Sequence, residues 1–251
     1  MSITFTERKA FILDILMEED SVSVSDLSKR LNVTLVTARA DLDALEKVGL
    51  LVRTHGGALP AHHPKIFEHM QANKELKGKV ARAAANLIED GDTIIISAGT
   101  TTALIAKFLL GKRDVHIVTN NTLLFSYARA NPQLRVTLIG GEFRPSEEGT
   151  VGPMALAALD QFHVSRAFIG IDGASAKQGF TAHFLESADL VRKMAEQADQ
   201  VIAISDSSKF GKHGFVRILP IGDVDVLVTD TEISESFETE LTRAGVRVVT
   251  S

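Results

Sequence analysis

The sequence predicts an α/β chain in two parts, a small head of three helices closed by a β-hairpin and, behind it, a doubly wound, largely parallel sheet with helices between its strands. Three observations carry this. Up to Gly49, apolar residues recur at helical spacing and are broken by turn residues into three short runs. A glycine pair, Gly56-Gly57, sits in an extended stretch directly after the third run. From Thr93 onward the pattern becomes short apolar runs separated by stretches with helical spacing.

Taken in order, Phe5, Ile12, Ile15 and Leu16 share one face of a first helix over Phe5–Glu19. Ser23, followed three residues later by Asp26 and then by Leu27 and Leu31, is the start signal of a second. Asn32-Val33 interrupts, Thr34 caps again, and Val36, Leu42, Leu45 and Val48 form a third apolar stripe that Gly49 ends. Leu50 to Ala58 reads as a hairpin with the glycine pair at its tip, a wing, so that the head (1–59) is a winged helix-turn-helix. Pro60, Pro64 and three histidines mark 60–72 as a linker. In the second domain (73–251) the strands are Thr93–Ser97, Val115–Thr119, Val136–Ile139, Ala167–Gly170, Val201–Ile204 and Val226–Thr229. Strands buried on both faces and alternating with helices form a parallel α/β sheet.

Hydrophobic residues make up 45% and charged residues 24% of the chain, an ordinary globular balance. No apolar run approaches the roughly 20 residues needed to cross a bilayer, and no signal peptide precedes the first helix. The chain has no cysteine, which excludes disulfides, thiolate metal sites and cysteine nucleophiles and makes a reducing cytoplasm the expected compartment. His55, His62, His63 and His69 lie around the linker without carboxylates at ligand spacing, so neither a metal nor a cofactor is expected. Net charge is −5, and in the first 60 residues acids slightly outnumber Arg8, Lys9, Lys29, Arg30, Arg39, Lys47 and Arg53. Any contact with nucleic acid must therefore come from a few placed residues, not from bulk charge.

Such residues stand at the N-terminal end of the third helix, the end that enters the major groove in helix-turn-helix proteins. Thr34, Val36, Thr37 and Arg39 lie there. Threonine hydroxyls suit phosphates or base edges, and Arg39 offers a fork to guanine or to phosphate. The plainer alternatives are that Thr34 only caps the helix and that Arg39 pairs with Asp43 four residues on. In the wing, Arg53 and His55 flank the glycines, where the backbone can approach a phosphate chain and leave a cation pointing outward.

A second constellation follows Ser97. Gly99-Thr100-Thr101-Thr102 is a glycine turn with three hydroxyls leading into a helix, which suits a phosphate through backbone N–H groups and the helix macrodipole, with simple capping as the alternative. It is neither a P-loop nor a dinucleotide fingerprint. Small polar residues recur where other strands end, at Thr119-Asn120-Asn121, Gly140-Gly141, Asp172-Gly173 and Ser205 to Lys209, which places a ligand at the carboxyl edge of the sheet. Asp172 can accept sugar hydroxyls there and Lys209 can neutralise a phosphate.

These residues resemble the DeoR-type family of bacterial sugar-metabolism repressors. In the head the resemblance rests on Arg8, Ile12 and Leu16, on Thr34-x-x-Thr37-Ala38-Arg39-x-Asp41-Leu42, on Leu45-Glu46-x-x-Gly49 and on Arg53-Thr54-His55-Gly56-Gly57-Ala58. Beyond the head it rests on Asp90-Gly91-Asp92-Thr93-Ile94, Gly99 to Thr102, Val118-Thr119-Asn120, Gly140-Gly141, Val151-Gly152-Pro153, Ala167 to Gly170 and Asp206 to Gly211. Two positions depart from the family pattern: Ala40 stands where a second basic residue is common, and Ser187 where a second acidic residue is common. The resemblance implies that the third helix reads double-stranded operator DNA. It also implies an effector domain related to ribose-5-phosphate isomerase, with a phosphorylated sugar or polyol relieving repression of a carbohydrate catabolic operon, and a homo-oligomer, dimer or tetramer. Two other classes compete with this reading. In an isomerase, Asp172 or Glu186 would move protons and Lys209 would stabilise an enediolate; a DNA-binding head on the same chain makes sensing the simpler account, and no catalysis is expected. In an interaction module the three helices would dock a protein instead of DNA.

Overall fold

The computed structural model describes residues 4–19 and 21–251, which fall into two compact units, the first ending at Glu68 and the second beginning at His69. In the first, α1 (Phe5–Glu19), α2 (Val24–Arg30) and α3 (Leu35–Lys47) enclose Ile12, Leu16, Leu27, Leu42 and Leu45. The second and third helices begin at the expected caps: Ser23 Oγ accepts from the Asp26 N–H at 3.0 Å and Thr34 Oγ1 from the Thr37 N–H at 3.1 Å. Each such cap stabilises its helix by about 1 kcal/mol.

The buried faces differ from the expected stripes. Phe5 is 45% exposed, Val36 73% and Val48 63%, whereas Leu13 and Ala38 are buried. The helical period explains the third helix: Ala38, Leu42 and Leu45 stand at i, i+4 and i+7 and define the inner face, from which Val36 and Val48 diverge. Asp41 lies on that inner face, and the Arg8 guanidinium of α1 grips it in a fork, Nε to Oδ2 at 2.6 Å and Nη2 to Oδ1 at 2.9 Å. Two residues of the sequence motif thus clamp α1 to α3. Replacing Asp41 by alanine removes the buried carboxylate that this guanidinium grips, and is expected to destabilise the head by about 1.5–3 kcal/mol. A urea melt followed by helix signal measures this, and an unchanged midpoint would show that the pair is fully screened by water.

The wing is a three-stranded antiparallel sheet, ordered β1-β3-β2, of β1 (Val22–Ser23), β2 (Leu51–Arg53) and β3 (Gly57–Pro60). Gly57 belongs to the strand and not to the tip, because a Cβ there would lie 1.9 Å from the Val22 carbonyl oxygen. The tip is Thr54-His55-Gly56. The segment expected to be a linker holds α4 (Pro64–Gln71), whose Phe67 is buried in the core of the head.

The second unit runs, in chain order, α5 (Lys74–Ala85), β4 (Thr93–Ile96), α6 (Thr100–Ile105), β5 (His116–Thr119), α7 (Phe125–Ala128), β6 (Arg135–Leu138), β7 (Glu142–Arg144), β8 (Gly149–Val151), α8 (Pro153–Leu159) and β9 (Val164–Gly170). It continues with β10 (Gly173–Ser175), β11 (Gly179–Ala182), α9 (Leu185–Glu196), β12 (Ala198–Ile204), β13 (Val216–Leu219), β14 (Val226–Thr229), α10 (Glu235–Arg243) and β15 (Arg247–Thr250). Seven strands form one all-parallel sheet in the order β15-β14-β12-β9-β4-β5-β6. Six correspond to the expected runs; the seventh, β15, is a half-exposed edge strand.

Both faces of this sheet are dry. Ile95, Ala167, Ile169 and Ala203 pack with Leu159, Met194 and Leu241 of α8, α9 and α10. Their alternating neighbours Ile94, Ile96, Phe168 and Ile202 pack with Val80, Ile105 and Ala128 of α5, α6 and α7. The chain enters at β4, builds outward to β6, and returns to β9 on the other side of β4, so the order reverses between β4 and β9. In open α/β sheets that crevice, at the carboxyl ends of the strands, is where ligands sit. The hairpin β7–β8 and the small sheet β10-β11-β13 are added beside it. Among the described residues no helix is long and apolar enough to cross a membrane.

Candidate functional site

The first half of α3 presents its polar groups to solvent. The Thr34 and Thr37 hydroxyls lie 3.0 Å apart, Val36 projects outward, and Arg39 is exposed and makes no ion pair among the described residues. Thr34 both caps the helix and remains on its surface. The alternative Arg39–Asp43 pair does not form, because Asp43 is held by Arg53 at 3.1 Å. That contact corrects the expected direction of Arg53. Its guanidinium turns back from the wing, with Nε on Asp43 and Nη1 donating to the Gly57 carbonyl at 2.8 Å. His55 stands exposed at the tip.

At the crevice the carboxyl ends of β4 and β9 are stitched together: the Ser97 N–H donates to Phe168 O at 3.0 Å, and the Gly170 N–H to Ser97 Oγ at 2.9 Å. The chain then turns at Gly99 with φ 146°, a conformation L side chains rarely adopt, into α6. The three threonines that follow differ in role. Thr102 is fully buried and donates to Ser97 O at 2.8 Å. Thr100 and Thr101 are half-buried, and their hydroxyls have no protein partner among the described residues.

The end of β5 braces this turn. Thr119 Oγ1 donates to Ile96 O at 2.6 Å; Asn120 accepts from the Ala98 N–H at 2.7 Å and donates to Thr150 O at 2.9 Å. Asn121 donates to Gly99 O at 3.0 Å and accepts from the Leu123 N–H at 3.0 Å. A buried polar group left without a partner costs about 1–3 kcal/mol. Thr102, Thr119 and Asn120, all expected to contact a ligand, thus use polar atoms on the end of β4, the turn after it and β8. Gly140 is exposed ahead of β7, and Gly141 is pressed against β8. Asp172 uses Oδ2 to accept from the His183 N–H at 2.9 Å, and Gly173 opens β10 in a buried position.

On the neighbouring strand end, Lys209 is half-buried and has no carboxylate partner among the described residues. Close to it is a residue that the sequence pattern does not single out. Lys77 of α5 is only 7% exposed and donates to the His69 carbonyl. Burial lowers its pKa from the ordinary lysine value, the Lys209 charge lowers it further, and Asp206 opposes both. Asn73, in a left-handed conformation, donates to Asp206 Oδ1 and to Ser208 Oγ, each at 3.2 Å, and joins the start of α5 to the loop bearing Lys209. One signal could have revealed Lys77: it stands at i−3 and i−4 from Val80 and Ala81, on the apolar stripe of its helix.

One acid that an isomerase could use is committed elsewhere. Glu186 pairs with Arg144 at 3.2 Å, and its carboxyl is held below the ordinary glutamate value by a hydrogen bond to its own backbone N–H and then by Arg144. A carboxylate so stabilised is a poor proton shuttle near neutrality. Arg144 also lies over the Phe184 ring at 5.2 Å, and Ser187, the departure from the family pattern, donates to Glu147.

The family model of the DeoR-like helix-turn-helix domain matches residues 8–63, and that of the DeoR C terminal sensor domain matches residues 72–231. Over 247 residues the chain is 34% identical to the HTH-type transcriptional repressor GlcR of Bacillus subtilis (strain 168), covering 97% of this chain and 95% of that protein. Over 231 residues it is 31% identical to the lactose phosphotransferase system repressor of Lactococcus lactis subsp. lactis, covering 89% and 90%. Among solved structures, ribose 5-phosphate isomerase A from Methanocaldococcus jannaschii superimposes with a TM-score of 0.40 at 20% identity, over 55% of each chain.

Proposed function

The chain belongs to the DeoR family of transcriptional regulators, and from that premise we propose that it represses a carbohydrate catabolic operon and releases it when a phosphorylated sugar or polyol binds. The observation that carries this is the pairing, in one chain, of an exposed Arg39 without an ion pair on α3 and a Lys209 without a counter-ion at the carboxyl edge of the sheet. Thr34, Val36, Thr37, Arg39 and His55 form the surface offered to operator DNA, with Arg53 in the wing behind them. Gly99, Thr100, Thr101, Gly140, Gly141, Asp172 and Lys209 surround the effector, on a frame made by Thr102, Thr119, Asn120 and Gly173, and Lys77 adds a second ammonium group. The protein acts in the cytoplasm as a dimer or tetramer, because symmetric oligomers match palindromic operators, with 60–72 joining head and sensor. Selection of duplexes from a randomised pool by the full chain tests the DNA half, and failure to enrich any sequence would refute it.

The sensing half makes a prediction about pH. Lys77 must be protonated to attract a phosphate dianion, and burial lets it lose its proton below the ordinary lysine range. A bound dianion raises the Lys77 pKa, so binding takes up protons; affinity is complete below the ligand-free pKa and falls as pH rises through it. The second ionisation of a phosphate monoester, near pH 6, sets the acid limb. Calorimetry of an effector hit from neutral to alkaline pH, in buffers of different ionisation enthalpy, is expected to show weakening affinity with proton uptake. A flat profile would remove Lys77 from the site.

A further inference from the structure

Beyond Arg39, two exposed carboxylates, Asp43 and Glu46, stand on the same helix that is proposed to face DNA. Exposed acids within a Debye length of about 8 Å of a phosphate chain oppose binding, so their presence on α3 needs a physical reason. Both are engaged by a single residue of the wing. Asp43 Oδ1 accepts from Arg53 Nε at 3.1 Å, and Glu46 Oε1 accepts from the Arg53 backbone N–H at 3.1 Å. The same guanidinium donates through Nη1 to Gly57 O at 2.8 Å, a carbonyl that also takes the Thr54 N–H at 3.0 Å.

One side chain therefore bridges the helix, β2 and the first residue of β3. The wing needs such a tie: β2 has three residues and β3 four, and a short hairpin has little stability of its own. Lysine could not replace the tie, because it lacks a planar fork able to reach a carboxylate and a carbonyl at fixed angles.

We propose that Asp43 and Glu46 are positioning residues for DNA binding: through Arg53 they fix the wing against α3, and Arg53 contributes geometry instead of neutralising a phosphate. This rests on the head being the DNA-binding unit. It reverses two ordinary expectations, that removing an acid beside DNA tightens binding and that lysine can stand in for a phosphate-binding arginine.

The test titrates the full chain against the duplex that the wild-type protein selects from a randomised pool, by fluorescence anisotropy over a series of KCl concentrations. Asp43→Ala and Arg53→Lys are each expected to weaken binding about tenfold. Asp43→Asn, which keeps the acceptor oxygen, stays within about twofold. The slope of log K against log [KCl] in Arg53→Ala equals that of wild type, whereas a direct role at the DNA backbone would reduce it by about one for each phosphate no longer neutralised. A reduced slope, near-wild-type affinity in Arg53→Lys, or tighter binding by Asp43→Ala would each overturn the proposal. Thermal midpoints separate these effects from unfolding, and if Asp43→Ala unfolds the head, Glu46→Ala supplies the same comparison. If the wild-type chain selects no duplex, it is the DNA-binding reading that fails, and the two failures are distinguished.

Discussion

Arg39→Ala is expected to abolish specific operator binding while leaving the head folded. The two halves of that result have separate causes. Arg39 is exposed and makes no ion pair among the described residues, so truncating it removes no internal salt bridge there and should shift stability by less than about 0.5 kcal/mol. Against DNA the same side chain has its five donors free, and a bidentate contact to a guanine discriminates by about 1–3 kcal/mol. In the proposed symmetric dimer the contact is used twice, so affinity should drop by at least about thirtyfold. Ala40, next in the chain, offers no second cation to share the loss. Anisotropy titration with the selected duplex and a parallel thermal melt measure both halves, and unchanged DNA affinity would remove α3 from the interface and favour a protein partner for the head.

Lys209→Met should give a repressor that holds its operator and ignores its inducer. Lys209 belongs to the second unit and has no carboxylate partner there, so removing its charge breaks no ion pair among the described residues. A charged hydrogen bond to an effector phosphate contributes about 1.5–3 kcal/mol, and its loss should weaken effector binding by roughly ten- to a hundredfold. Because an effector shifts a conformational equilibrium only by its differential affinity for the two states, release of DNA should then require correspondingly more effector. Reporter expression in cells grown on the inducing sugar would stay repressed with Lys209→Met. Normal induction would mean that the phosphate is held elsewhere.

Much of this is legible in the residues, and the remainder divides along physical lines. Ser23 and Thr34 announce the starts of α2 and α3 because a cap is a local interaction, complete within four residues. The parallel strands are visible because burial on both faces leaves an unbroken apolar run. The outward position of Val36 and Val48 is not visible, since apolar residues flanking a helix mimic its buried stripe until the partner helices are known. The β7–β8 hairpin escapes notice because its residues, Glu142-Phe143-Arg144 and Gly149-Thr150-Val151, lack the continuous apolar run of a buried strand.

At the sites, composition identifies the hydroxyl and amide groups but not the direction in which each one points. Thr101 and Thr102 are neighbours of the same type, yet Thr101 is half-buried and its hydroxyl has no hydrogen-bond partner among the described residues, whereas Thr102 is buried and turned onto Ser97 O. The place of Arg53 beside two glycines suggests a DNA contact, whereas Asp43 and Gly57 O capture it across the wing. Lys77 stays hidden among Lys74 and Lys79, since only its place on the apolar stripe of α5 sets it apart.

The most direct measurement of the central claim follows the selected operator duplex by anisotropy, with saturating wild-type protein at fixed salt, while phosphorylated sugars and polyols found by thermal shift are titrated in. Effector-driven release requires that at least one compound that raises the melting midpoint also releases the duplex, and that Lys209→Met needs roughly ten- to a hundredfold more of it for either effect. Compounds that bind the protein and leave operator affinity unchanged would contradict it.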